Sequence, residues 1–177
     1  MPYDVVFFLN RYFETMSRAI EQAGVIPNQF TGDGVMALFG VKSGPERGCR
    51  DAVSAAKSMV RGLAAMSSEL AGELGEPLRM GIGIHAGPTI VGRMGHGEAM
   101  YLTAVGDTVH VASRLQDLTK QYQCQLIISE AAAQRAGIDV SDFPRHELTV
   151  RNRTEPVTIC AIEDLESLPT MPEPVAR

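Results

Sequence analysis

The stretch that most limits what this chain can fold into is Gln29-Phe30-Thr31-Gly32-Asp33-Gly34-Val35-Met36-Ala37-Leu38-Phe39-Gly40. In its second arm Val35, Ala37 and Phe39 alternate with Met36 and Leu38, a run suited to a strand buried on both faces. The first arm, from Val25 to Phe30, carries Val25, Ile26 and Phe30. Gly32-Asp33-Gly34 between them reads as a hairpin turn, because glycine allows positive φ and close backbone approach. Asp33, the charged residue of the stretch, falls at the tip and has two readings. An Asp beside Gly in a hairpin commonly bonds only to its own backbone. A carboxylate held at a rigid turn also suits a hard cation such as Mg²⁺, which favours carboxylate oxygens together with substrate phosphates. The turn by itself does not choose between them.

A length of 177 residues is that of one domain with a sizeable core. The hydrophobic share of 45% and the charged share of 21% are ordinary for a soluble globular protein. A net charge of −5 gives no reason to expect nucleic acid or an anionic membrane as partner. No apolar run approaches the roughly 18 residues of a membrane span. The first residues also lack the pattern of a secretory signal, so a cytoplasmic location is expected. Cys49, Cys124 and Cys160 are widely spaced and unpatterned, as for buried thiols in a reducing compartment.

Residues 3 to 23 read as a helix. Val6, Leu9, Phe13, Met16 and Ile20 recur at helical spacing, Val5, Phe8 and Tyr12 widen the stripe, and Gly24 supplies a C-cap. Gly44-Pro45 opens a second, alanine-rich helix from about Glu46 to Leu74, closed by Gly75 and Pro77. From Arg79 to Val105 the chain reads as strands. Met80, Ile82 and Ile84 alternate with glycines, which let backbone or ligand come close. Two look-alikes are set aside here. Gly81-x-Gly83-x-x-Ala86 opens no helix, and the Gly87 to Met94 stretch lacks the Lys-Ser/Thr of a phosphate loop. Asp107 or Thr108 can cap a helix to about Tyr122, with Val111, Leu115, Leu118 and Tyr122 on its buried stripe. His110, Arg114, Asp117 and Gln121 share an adjacent flank, so His110 and Arg114 are neighbours one turn apart. From spacing alone that flank is more often a solvated polar face. Gln125 to Ser129 reads as a short strand, with Ser129 capping an alanine-rich helix up to Gly137. Phe143 to Val150 and Val157 to Ile162 read as a final antiparallel pair. Helices between mainly antiparallel strands imply an α+β fold with helices packed on a sheet.

Two further motifs follow the hairpin in order: Gly81-Ile82-Gly83-Ile84-His85-Ala86-Gly87, and Ala104-Val105-Gly106-Asp107-Thr108-Val109-His110-Val111-Ala112-Ser113-Arg114-Leu115. With the hairpin they resemble the catalytic domain of the class III nucleotidyl cyclases, the adenylate and guanylate cyclases, over roughly residues 2 to 163. The resemblance implies a ferredoxin-like fold with a βαββαβ core. It places the domain at residues 1–166, with a proline-rich, disordered tail at 167–177. It also implies a strand ahead of the first helix, central to the sheet and bearing another metal-binding aspartate. Met1-Pro2-Tyr3-Asp4 stands already at that helix, and Asp4 matches a helix-start position, not that ligand. A sheet without that strand is expected to show a groove with unpaired backbone and exposed core.

Such a domain turns ATP or GTP into the 3′,5′-cyclic nucleotide and pyrophosphate, at sites between two antiparallel subunits. The resemblance implies Mg²⁺ or Mn²⁺, two per site, as cofactor, and a homodimer or a heterodimer with another cyclase domain. Residue by residue, Asp33 matches a metal-binding aspartate and Arg114 the arginine that stabilises the pentavalent phosphorus. Arg153, with Arg151 nearby, matches the basic residue on the terminal phosphates. Gln29 and Thr103 match the base-reading positions. Thr103 points to adenine, and the Gln29 amide can donate to adenine N1 but can also accept, which leaves GTP open. His110 stands where the family has a ribose-positioning asparagine. The polar tip from Arg93 to Glu98 matches an arm that reaches the partner subunit. The expectation is therefore an adenylate cyclase-type enzyme; the alternative is a catalytically impaired fragment or pseudo-cyclase that dimerises and regulates a partner.

Overall fold

Four consecutive residues, Leu126 to Ser129, are almost completely shielded from solvent. A strand so apolar on both faces belongs at the centre of a sheet covered on both sides, and the fold is built around it. The computed structural model describes residues 2–25, 27–150 and 154–171. The elements in chain order are α1 (Pro2–Gln22), β1 (Pro27–Thr31), β2 (Gly34–Ala37), α2 (Pro45–Glu69), β3 (Ile82–Ile84), β4 (Ile90–Met94), β5 (Tyr101–Val105), α3 (Asp107–Tyr122), β6 (Leu126–Ser129), α4 (Glu130–Ala136), β7 (Arg145–Leu148) and β8 (Val157–Ile162).

The central sheet has the order β3-β6-β8-β7; β3 runs parallel to β6, and the other two pairings are antiparallel. The twofold alternation of strand side chains sorts its residues cleanly. Leu126, Ile128, Cys160 and Ile162 point to one face and pack with Val53 and Ala56 of α2 and Ala132, Ala133 and Ala136 of α4. Ile127, Val157, Ile159 and Ala161 point to the other and pack with Val111, Leu115 and Leu118 of α3. The α+β class holds, with helices on both faces of the sheet. Ser129 accepts a hydrogen bond from the Ala132 amide at 3.3 Å and caps α4, and Gly137 closes it in the left-handed conformation.

Outside this sheet, β1 and β2 form an antiparallel ribbon, and β4 and β5 form another. Val35 and Ala37 of β2, with Phe39, rest on a third cluster made by Met16, Ile20, Met59, Leu63 and Met66. Met80 and Ile82, at the start of β3, rest on the same cluster. Among the described residues β2 pairs only with β1, and β3 only with β6. Strands β2 and β3 thus border one core and, among the described residues, do not pair with each other.

Three expectations change. The second arm is not buried on both faces; all four residues of β2 are half-buried, and among the described residues the strand pairs with β1 alone. Helix α2 ends at Glu69, short of Leu74, and the chain then turns through Leu70 to Glu73. Helix α1 buries Met16 and Ile20 fully, but its first turns leave Val5, Val6 and Phe7 exposed, so its stripe is core only in the second half.

Past β8 the chain stays packed beyond the expected boundary at 166. Leu165 and Leu168 are buried, and Met171 lies against the core. The Leu165 amide donates to Gln125 Oε1 at 2.8 Å. Arg61 holds Glu166 through both carboxylate oxygens, at 2.5 and 2.7 Å. That bidentate hydrogen bonding pulls the Glu166 carboxyl below its usual pKa. Both side chains of this pair are exposed, so water screens it; the apolar burial of Leu165 carries the segment. Leu165→Ala is expected to cost about 2–5 kcal/mol in denaturant unfolding, and Arg61→Ala much less. The reverse order would show that the ion pair anchors this segment.

Candidate active site

Asp33 sits on a two-residue turn joining Thr31 and Gly34, which face each other across the ribbon. Gly32 takes the positive φ of 63°, while Asp33 has negative φ. The turn is therefore led by Gly32 and not by the Asp33-Gly34 pair. Gly34 belongs to β2, where an added Cβ would lie 3.3 Å from the Thr31 carbonyl oxygen. Asp33 is exposed at the tip. The ribbon is pinned to α1 by the tilted pair of Phe13 and Phe30, with ring centroids 4.6 Å apart. Burial, and then the nearby Asp33 charge, push the Tyr12 hydroxyl above its usual pKa. Tyr12 thus borders the Asp33 site, a neighbour that helix periodicity assigned only to the core stripe.

Gln29 is half-buried on β1, opposite Met36. Thr103 is 7% exposed on β5, opposite Gly92. Strand β1 lies against β5, so the two strands bearing the base-reading candidates are neighbours. Thr103 leads within a few residues into α3, which carries His110 and Arg114. Both side chains are exposed on one flank of that helix. Among the described residues Arg114 forms no ion pair. Arg151 and Arg153 lie outside the described residues.

The direction in which α3 presents that flank is set by absent side chains on β3 and the residue just before it. A Cβ on Gly83 would lie 2.4 Å from the Ala112 carbonyl oxygen and 2.5 Å from the Gln116 amide nitrogen. A Cβ on Gly81 would fall 1.8 Å from the Thr119 hydroxyl oxygen. Gly83 therefore admits helix backbone and Gly81 the Thr119 side chain, so at both positions the space is taken by α3 itself. Their place in and beside a strand also agrees with setting aside a dinucleotide fingerprint. The third motif differs from expectation at its start. Neither Asp107 nor Thr108 caps α3; Gly106 occupies the N-cap position with φ 144°, and no side chain caps the helix.

Among the described residues no group of three or more His, Cys, Asp or Glu side chains could hold a metal ion. Asp33 is a single carboxylate at a turn, so these residues do not make up a two-metal site by themselves. The cysteines are structural: Cys49 and Cys160 are buried, Cys124 is partly so, and burial raises all three thiol pKa values. No described helix is long and apolar enough to cross a membrane.

The sequence profile of the adenylate and guanylate cyclase catalytic domain matches residues 1–160. An adenylate cyclase of Anabaena cylindrica is 33% identical over 170 residues, spanning 92% of this chain and 33% of that protein. The terminal-differentiation specific adenylate cyclase of Dictyostelium discoideum is 34% identical over 166 residues, 92% of this chain and 8% of that protein. The crystal structure of the guanylyl cyclase Cya2 superposes with a TM-score of 0.80 at 27% identity, covering 98% of this chain and 84% of that one. The adenylyl cyclase CyaB from P. aeruginosa gives 0.69 at 25% identity, covering 92% and 83%. The chain belongs to the adenylate and guanylate cyclase catalytic domain family, and it spans a third or less of these two curated relatives.

The seat of α3 makes a direct prediction. Gly83→Ala forces two backbone atoms of α3 to retreat, which is expected to cost about 1–3 kcal/mol as overpacking does. Gly72→Ala, with nothing within 4 Å of the added Cβ, serves as the control. Equal melting temperatures for the two variants would show that the helix does not depend on this approach.

Proposed function

We propose that this domain forms 3′,5′-cyclic AMP and pyrophosphate from ATP, at a site completed by a second cyclase domain. The observation that supports it is the β5–α3 unit. It holds a buried Thr103 and two exposed groups, His110 and Arg114, on a helix seated tightly against the sheet. It does so in a chain one-third identical to an adenylate cyclase over most of its length.

In this reading the ribose 3′ hydroxyl attacks the α-phosphorus in line and gives up its proton to water, the new P–O bond forms as the bond to the β-phosphate oxygen breaks, and pyrophosphate leaves from the opposite side. Charge grows on the non-bridging oxygens as the phosphorus becomes five-coordinate. Arg114 meets that charge with a planar, permanently ionised fork of donors. His110, one turn away, is assigned to the ribose, and Arg153 to the terminal phosphates. Gln29 and Thr103 read the base, Gln29 by donating to adenine N1. Asp33 is assigned to a divalent cation, which supplies charge neutralisation of the triphosphate when bound. The roles of the other residues stand without it.

Support for a second chain comes from the β4–β5 ribbon. Ile90, Val91, Met94, Tyr101, Leu102 and Val105 are all exposed on it. A two-stranded ribbon with apolar side chains on both faces is marginal alone, and exposed apolar area of this kind marks an interaction surface. A second reading, an impaired domain acting as a dimerisation module, is favoured by the lack, among the described residues, of any group of three or more potential metal ligands.

Product formation separates the two. The purified chain is incubated with ATP, and separately with GTP, in Mg²⁺ and in Mn²⁺, over a range of protein concentrations. Cyclic AMP is expected to rise more steeply than linearly with protein. Arg114→Ala is expected to lower kcat by about 10²–10³, as loss of one transition-state donor does. Absence of any cyclic nucleotide at every concentration would overturn the enzymatic reading in favour of the module.

A further inference from the structure

We infer that Thr108 is a positioning residue, whose hydroxyl fixes the first turn of α3 to the root of the β4–β5 ribbon. In its kinetic consequence this rests on the cyclase reading above. In its geometry it rests on the fold alone.

Thr108 lies in the first turn of α3, two residues past the Gly106 N-cap, and its side chain does not cap the helix. Its hydroxyl instead donates to the Pro88 carbonyl oxygen at 2.6 Å, twenty residues away in sequence. Thr108 is 8% exposed, so water competes poorly for that oxygen. The approach depends on glycine on the opposite side, since a Cβ on Gly87 would lie 2.7 Å from the Thr108 hydroxyl oxygen. Gly106, at φ 144°, lets the chain leave β5 and enter the helix in the space available. The Val109 amide donates to the Gly106 carbonyl at 3.1 Å and closes the corner.

Each side of the hydroxyl bond leads to a functional candidate. Pro88 is two residues from Ile90, which opens β4 and pairs with Val105 at the end of β5. The same ribbon carries Thr103 opposite Gly92. Thr108 itself is two residues from His110 and six from Arg114. The lower part of α3 is already fixed by the glycine seat on β3. The top, where His110 stands, is tied to the root of the ribbon by this hydroxyl. Movement of the ribbon is thereby passed to the bearing of His110 and Arg114 relative to Thr103. A covalently equivalent helix without the hydroxyl keeps its buried stripe and loses only this tie.

Thr108→Val keeps the shape and removes the donor, and Thr108→Ser restores the donor with less bulk. Amide hydrogen exchange on the full chain reads the tie without catalysis. Thr108→Val is expected to speed exchange together in residues 89–91 and 109–111, leaving β6 and β8 unchanged, and Thr108→Ser is expected to reverse most of it. Unchanged exchange in either segment, or a uniform increase that includes β6 and β8, would overturn the inference. In the cyclase assay Thr108→Val is expected to lower kcat by about 10–100-fold, the scale of an ångström of misplacement, with KM within about threefold and recovery in Thr108→Ser. Faster exchange with unchanged kcat would also overturn it. A wild-type chain without product contradicts the cyclase reading, and the exchange pattern then decides the inference by itself.

Discussion

The rest of the structure depends on how closely helix α3 approaches strand β3. Backbone atoms of Ala112 and Gln116 occupy the space where a side chain on Gly83 would stand. Close-packed interiors do not absorb even one methyl group without displacement. The glycine at this position therefore fixes the height and direction of the helix, and with it the flank that carries His110 and Arg114. The same packing places Leu115 against the central sheet beside Ile127 and Ile159. An arginine fork is useful only when its direction is set in advance. Here the direction comes from the main chain, with the side chain itself left exposed.

Much of this was legible in the sequence. The helical stripe of α3 reappears as Val111, Leu115 and Leu118 in the core, and the flank of His110, Arg114, Asp117 and Gln121 is exposed as a whole. Ser129 and Gly137 cap α4 as their types suggest. The illegible parts are those where one-dimensional pattern and three-dimensional packing part company. Val5 and Val6 belong to the apolar stripe of α1 and yet are exposed, because periodicity records which face is apolar and not what covers it. Residues Gly32, Asp33 and Gly34 permit two turns, and the choice of Gly32 for positive φ depends on the ribbon register. The Thr108 hydroxyl bond joins residues twenty apart through a carbonyl, which no side-chain pattern records.

Among the described residues β2 and β3 do not pair with each other, and the β4–β5 ribbon carries exposed apolar side chains. Val35, Ala37 and Ile82 stand around one cluster that the helices cover from one side. Apolar side chains on β4 and β5 face outward from both sides of a ribbon too small to sustain itself. Electrostatics are in keeping with this: among the described residues Asp33 belongs to no group of three or more potential metal ligands, and Arg114 forms no ion pair. In the proposed reading each is half of a pairing of charges that phosphoryl chemistry needs in one place. A site divided between two chains accounts for both together with the exposed ribbon.

That division is tested most directly by complementation. This chain is mixed with a homologous cyclase domain that keeps both metal-binding aspartates but has its own transition-state arginine replaced. The account predicts cyclic AMP on mixing well above that of this chain alone, none from the altered homologue alone, and loss of product when this chain carries Arg114→Ala. Association of the two chains with no cyclic AMP beyond this chain's own, under conditions where the unaltered homologue is active, would contradict it.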